Sequence, residues 1–421
     1  MLSKAIPASY QFELSGKKMV QLAFEVESKS FIDKIVNHFS SNVLGLHLRL
    51  KPGFLVYKPN SAIIHHLPDN LTSLESASDF LAKNIDNENS LGNIGYNDHQ
   101  VVLNVSHSLA DGGYFKFLTK SLFSDDFGKK KLNASFPKEV REIFADEINS
   151  SSIENIGYWY HNPKVNRIFS GSQNRIPSKY AKYFTVRMNS DSLKFVQRDN
   201  KNNSLHGVTE SLWLSLFLAS IVHTQKQKNN FSLPEFVSMP TCTDFRNKIK
   251  GKVDYSICNC YSHVTPFARV EANKTLKEIG SEMKKDMKMR LNRNDDLAFM
   301  KFLDSDECAK ANKKPKIPGV NIELTYVGPL EIKKPVVDAW CSLVMEGKPI
   351  ENILSLMGFS VFDKERSLND MVVRLRYASS MLTDKEVSDI IKSLEFCMKN
   401  IVMEMTVKDA VEEINKFQLS Q

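Results

Sequence analysis

The residues best suited to chemistry lie in the segment VVLNVSHSLADGGYFKFL, where His107 ends a valine-rich apolar run and Asp111 follows four residues later, ahead of Gly112 and Gly113. An imidazole takes up and gives back protons near neutral pH, which is what a general base requires. A strand end is a rigid perch for such a ring, and adjacent glycines let the chain turn and let another group approach closely. The competing reading is a hydrogen-bonded core histidine. As a metal pair, His107 and Asp111 would need a further ligand and a continuous helix, whereas this stretch reads as strand and turn, so no metal is expected.

The elements around this segment alternate between strand and helix. VQLAFEV (20–26) has strand character, SFIDKIVNHF (30–39) has helical spacing, and 46–58 reads as a hairpin about Pro52-Gly53. LESASDFLAKNI (74–85) is a second helix, QVVLNVSH (100–107) a buried strand, and GYFKFLTKSLF (113–123) the helix after the glycines. From 124 to 182 the pattern breaks into polar and Pro-containing clusters, a crossover. Beyond it, strands are expected at 183–188, 236–242, 258–267, 320–328, 354–362 and 371–379. Helices are expected at 207–222, capped by Thr209, at 275–291, and at 384–405, opened by the T-x-x-E box at Thr383. Neither half repeats a strict βαβ unit, so the fold class is α+β. The division is a first lobe over 1–150, a linker over 151–182 and a second lobe over 183–421.

Composition sets the outer bounds. The chain has 421 residues, 42% hydrophobic and 25% charged, enough to build a folded core. Its net charge of +7 is spread along the sequence rather than gathered in a tail, so no nucleic-acid partner is expected. The six cysteines form no C-x-x-C pair, which gives no zinc ribbon or disulfide scaffold. The opening MLSKAIPASYQFELSGKK lacks the apolar core of a signal peptide, and no apolar run is long enough for a membrane span. A cytoplasmic protein is expected.

SHSLADGG resembles the H-x-x-x-D-G motif of acyl-CoA-dependent acyltransferases of the chloramphenicol-acetyltransferase fold, which include BAHD enzymes, alcohol O-acetyltransferases and the related condensation domains. Further segments fall in that superfamily's order. GVTESLWLSLFLA resembles the helix opening the second lobe, PTCTDFRNKI the D-x-R-x-[RK] element, ICNCYSHV the G-N segment, and LTYVGPL the S-N-x-G stretch; VVRLRYASSMLTDKEV resembles the closing strand and helix. The glycine frame of D-F-G-W-G is missing from KKPVVDAWCSL, and Ser106 stands where condensation domains commonly have a second histidine. The resemblance is therefore closest to alcohol O-acyltransferases.

The resemblance implies two lobes with mixed sheets and helices and a tunnel between them. It implies His107 as the base, Asp111 and Arg246 as a structural ion pair, and Gly112 in the turn. Thr325 and Asn259 are the candidate oxyanion donors. Acyl-CoA is the implied co-substrate, with no permanently bound cofactor, and its phosphates would meet Lys313, Lys314 and Lys316. The acceptor would be a small-molecule alcohol or amine, and one chain would complete the site, so a monomer is expected. A carrier-dependent condensation enzyme and a non-catalytic binding module are the alternatives.

Overall fold

The computed structural model describes residues 2–7, 14, 18–85, 89–154, 156, 162–170, 178–198, 205–228, 231–303, 305–306, 308, 319–346 and 353–421. Two mixed sheets organise it, flanked by helices, as the α+β reading requires. The first has five strands in the order Val336–Val344, Met19–Val26, Gln100–Ser106, Gly92–Tyr96 and Ile64–His66. The second has six, in the order Tyr261–Val264, Thr241–Asp244, Asn321–Glu331, Ile353–Asp363, Leu368–Tyr377 and Lys182–Asn189.

The helices Lys29–Asn42 and Leu74–Asn84 bury Ile32, Ile35, Phe39, Ala77 and Leu81 in the first core. The second core forms around the almost wholly buried helix Val208–Gln227, with Asp384–Asn400 and the outer helix Val407–Leu419. Thr383 and Glu386 make the expected capping box.

Several expectations are corrected by local chemistry. Helix Val208–Gln227 is entered through Gly207 at φ 69, so Thr209 lies inside it and is not the cap. The stretch 236–242 is two strands, Phe236–Ser238 and Thr241–Asp244, in different sheets, and 258–267 yields Tyr261–Val264 and Phe267–Arg269. Pro240 and Pro266 lie at these breaks, each lacking the N–H that a continuous ladder needs. The helix opened at Thr383 ends at Asn400, and a separate helix follows, capped by Thr406.

The division at 182/183 also leaves out an exchange. Val336–Val344 lies in the second stretch of chain but pairs antiparallel with Met19–Val26, completing the first sheet. A line of buried polar side chains runs across that sheet. Ser342 donates to Gln21 Oε1 at 2.6 Å, Gln21 donates to Asn104 Oδ1 at 3.1 Å, and Asn104 donates to Asn93 Oδ1 at 2.9 Å. Shifting the incoming strand by one residue would leave these groups unpaired, which fixes its register.

His38 is a second buried polar point in the first core. The main-chain N–H of Gly128 donates to its Nδ1 at 3.2 Å, which leaves Nε2 to donate to Ser121 Oγ at 2.9 Å. Burial lowers the pKa of this ring from 6.5 to about 4, and burial does the same to His263. Below pH 6.5 the unfolded chain takes up these protons while the native rings stay neutral until about pH 4. Stability is therefore present above the higher value and falls as pH drops through the window, by about 1.4 kcal/mol per pH unit for each ring. Melting curves between pH 6.5 and 5 should show the fall, with a shallower slope in His38→Gln; parallel slopes would contradict this account.

Candidate active site

The strand Gln100–Ser106 is buried along its whole length and ends in a tight turn over His107–Leu109. The His107 N–H donates to the Lys18 carbonyl at 2.8 Å, which anchors the start of the turn. The ring folds back so that Nδ1 lies 2.9 Å from the Ala110 carbonyl. A carbonyl only accepts, so Nδ1 carries the hydrogen and the neutral ring keeps its lone pair on Nε2. The half-buried imidazole stacks on Tyr261 of the second sheet, with centroids 5.1 Å apart and planes at 17°. His107 thus stands where the two lobes meet.

Asp111 closes the turn and begins the next helix, Gly112–Ser121, accepting the Tyr114 N–H at 2.7 Å. Its other oxygen accepts the Cys260 N–H at 2.6 Å. Arg246 donates to both carboxylate oxygens, at 2.8 and 3.2 Å, and also to Asp244, Ile257 O and Cys258 O at 2.9, 3.1 and 2.7 Å. Burial works against the guanidinium charge, but Asp111 and Asp244 outweigh it and hold the Arg246 pKa above its ordinary value. Burial pushes the thiols of Cys258 and Cys260 up to about 12, so neither is a thiolate nucleophile at neutral pH.

Both glycines answer to close packing. A Cβ on Gly112 would stand 2.8 Å from Val327 Cγ2, and one on Gly113 would overlap the Asp244 carboxylate and come 2.5 Å from Arg246 Nη1. Gly113→Ala should displace that cluster, costing about 1–3 kcal/mol in urea unfolding. An unchanged midpoint would show that the cluster gives way freely.

Thr325 stands in the strand Asn321–Glu331, and its hydroxyl donates to Cys242 Sγ at 3.1 Å. Cys242 pairs with His263 and Asp244 with Tyr261, so these side chains share the sheet face on which His107 stacks. Asn259 directs an amide N–H to the His107 carbonyl at 2.5 Å, a position that holds the turn. Lys313, Lys314 and Lys316 lie outside the described residues. Among the described residues, no three His, Cys, Asp or Glu side chains come together as a metal site.

No protein-family model matches the sequence, and no curated protein matches it. Solved structures do. The trichothecene 15-O-acetyltransferase TRI3 from Fusarium sporotrichioides superposes with a TM-score of 0.62 at 12% identity, covering 94% of this chain and 95% of that one. The first condensation domain of the calcium-dependent antibiotic synthetase, in complex with a substrate analogue, gives 0.61 at 9% identity over 97% and 98%. Polyketide synthase associated protein 5 from Mycobacterium tuberculosis gives 0.59 at 10% over 94% and 98%. The chain shares their fold.

In this two-lobed fold, some neighbours of the site leave little trace in the sequence. Tyr261 follows Asn259 by two residues, and in an extended segment that spacing puts both on one side; this was the available clue. Asp244 is the acidic residue of the D-x-R element, two positions before Arg246; Gly113 carried no such signal, because its closeness to Asp244 and Arg246 exists only where the lobes are joined. No helix among the described residues is long and apolar enough to cross a membrane.

Proposed function

We propose that this protein transfers an acyl group from acyl-CoA, acetyl-CoA first among them, to a hydroxyl or amine of a small molecule, by direct attack in a ternary complex. The reading is carried by the His107 ring, whose Nδ1–H is engaged by Ala110 O and whose Nε2 is left to accept a proton. Nε2 removes the proton from the acceptor while its oxygen or nitrogen attacks the thioester carbonyl. The resulting oxyanion takes a hydrogen bond from Thr325, whose hydroxyl turns away from Cys242. Collapse breaks the C–S bond, and the imidazolium returns its proton to the CoA thiolate, giving an ester or amide and free CoA.

In this proposal Asp111 and Arg246 shape the site without touching substrate, Asn259 holds the His107 turn, and Lys313, Lys314 and Lys316 meet the CoA phosphates. The protein works as a cytoplasmic monomer, with the tunnel closed by its own two lobes. The test is thiol release from acetyl-CoA by the purified protein with pooled alcohols and amines, repeated with acyl groups on a pantetheinyl carrier. Release from free CoA is the expected result. Release from the carrier alone would support the condensation-type alternative, and release from neither would overturn acyl transfer and leave a binding module.

A further inference from the structure

The second sheet turns one face to its own helices and the other to the first lobe. Thr241, bound by the indole N–H of Trp213 at 2.8 Å, marks the helix side. On the opposite face the register aligns Thr325, Met357, Arg374 and Thr185 in a single row. Strands lie about 4.8 Å apart, so the Arg374 backbone is roughly 10 Å from that of Thr325.

The Arg374 side chain is only 2% exposed. Nη2 reaches Glu75 and Asp79 of the first lobe at 3.2 and 3.4 Å, and the guanidinium lies 4.1 Å from the Tyr183 ring centre and 5.3 Å from that of Trp340. Nε and Nη1 have no hydrogen-bond partner among the described residues, and neither does the buried Trp340 Nε1. Three unpaired donor nitrogens in one place are costly unless something supplies acceptors. Lys83 also pairs with Asp79, at 2.6 Å, so two cations face two carboxylates. An added anion would meet Glu75 and Asp79 unmatched, whereas a neutral oxygen would not.

We infer that Arg374, with Trp340, is a specificity-determining group that binds a neutral carbonyl or hydroxyl oxygen of the substrate at a distance from the reacting centre. This rests on the proposed function in so far as it places substrate between the lobes. The oxygen belongs either to an amide of the pantetheine arm or to the far end of the acceptor. Arg374→Lys keeps a cation opposite Glu75 and Asp79 but removes the Nε and Nη1 donors.

The experiment is calorimetric binding of CoA and of pantetheine to the wild type, His107→Ala and Arg374→Lys, together with KM values for octanol and octanediol. A 10- to 100-fold weaker CoA and pantetheine affinity in Arg374→Lys alone assigns the oxygen to the pantetheine arm. Unchanged CoA affinity with loss of a wild-type preference for octanediol over octanol assigns it to the acceptor. A variant that melts like wild type and changes neither overturns the inference, even where turnover is normal. A binding difference that persists without any thiol release would instead sink acyl transfer and leave Arg374 as a ligand contact. If Arg374→Lys fails to fold, Arg374→Gln with Glu75→Gln removes the charges together and is read in the same way.

Discussion

Replacing His107 by alanine is expected to lower kcat for acyl transfer by about 10²- to 10⁴-fold, the range of a lost general base. The fold should survive, because the main-chain N–H that holds the turn to Lys18 O and the carbonyl held by Asn259 are both independent of the ring. The ring itself contributes the Ala110 hydrogen bond and the stack on Tyr261 at a half-buried position. Losing these should cost little beside the loss of chemistry. The measurement is thiol release at saturating donor and acceptor, paired with a melting curve. Turnover within a few-fold of wild type would remove His107 from the proton transfer.

The second large effect is expected on the buried ion pair. Arg246→Met leaves the Asp111 carboxylate without its cation at 2% exposure, and breaking such a pair from one side costs about 3–5 kcal/mol. Adding Asp111→Asn should recover part of the loss: the amide oxygen still caps Tyr114, while the uncompensated charge is gone. Recovery would be incomplete, since Asp111 accepts the Cys260 N–H as well and the Ile257 and Cys258 carbonyls lose their donor. Activity should fall in both variants, as the turn carrying His107 is fixed by the same carboxylate. Urea unfolding followed by circular dichroism gives the comparison. An Arg246→Met midpoint equal to wild type would show the pair to be dispensable.

What could be read in the sequence was what is encoded locally. A valine-rich strand, a polar turn and two glycines announce the segment around His107, because β-branched composition and turn chemistry act over a few residues. The Thr383 capping box is legible for the same reason. The strand Val336–Val344 escaped because both its faces are largely buried, which erases the alternation that marks a half-exposed strand. Thr209 attracted the cap assignment by residue type, while the backbone turned instead at Gly207, whose positive φ leaves no trace in side-chain pattern. The Tyr261 stack and the packing of Gly113 against Asp244 depend on how the two lobes meet, which no short-range rule encodes.

The strand exchanged into the first sheet has a consequence for how the molecule is made. Until residue 344 has left the ribosome, Met19–Val26 has a bare flank that its own half of the polypeptide cannot cover. A nascent chain halted before that point carries an open β edge, the kind of surface that recruits other chains. Maturation of the two halves is therefore coupled, and the amino-terminal half cannot reach its finished state on its own.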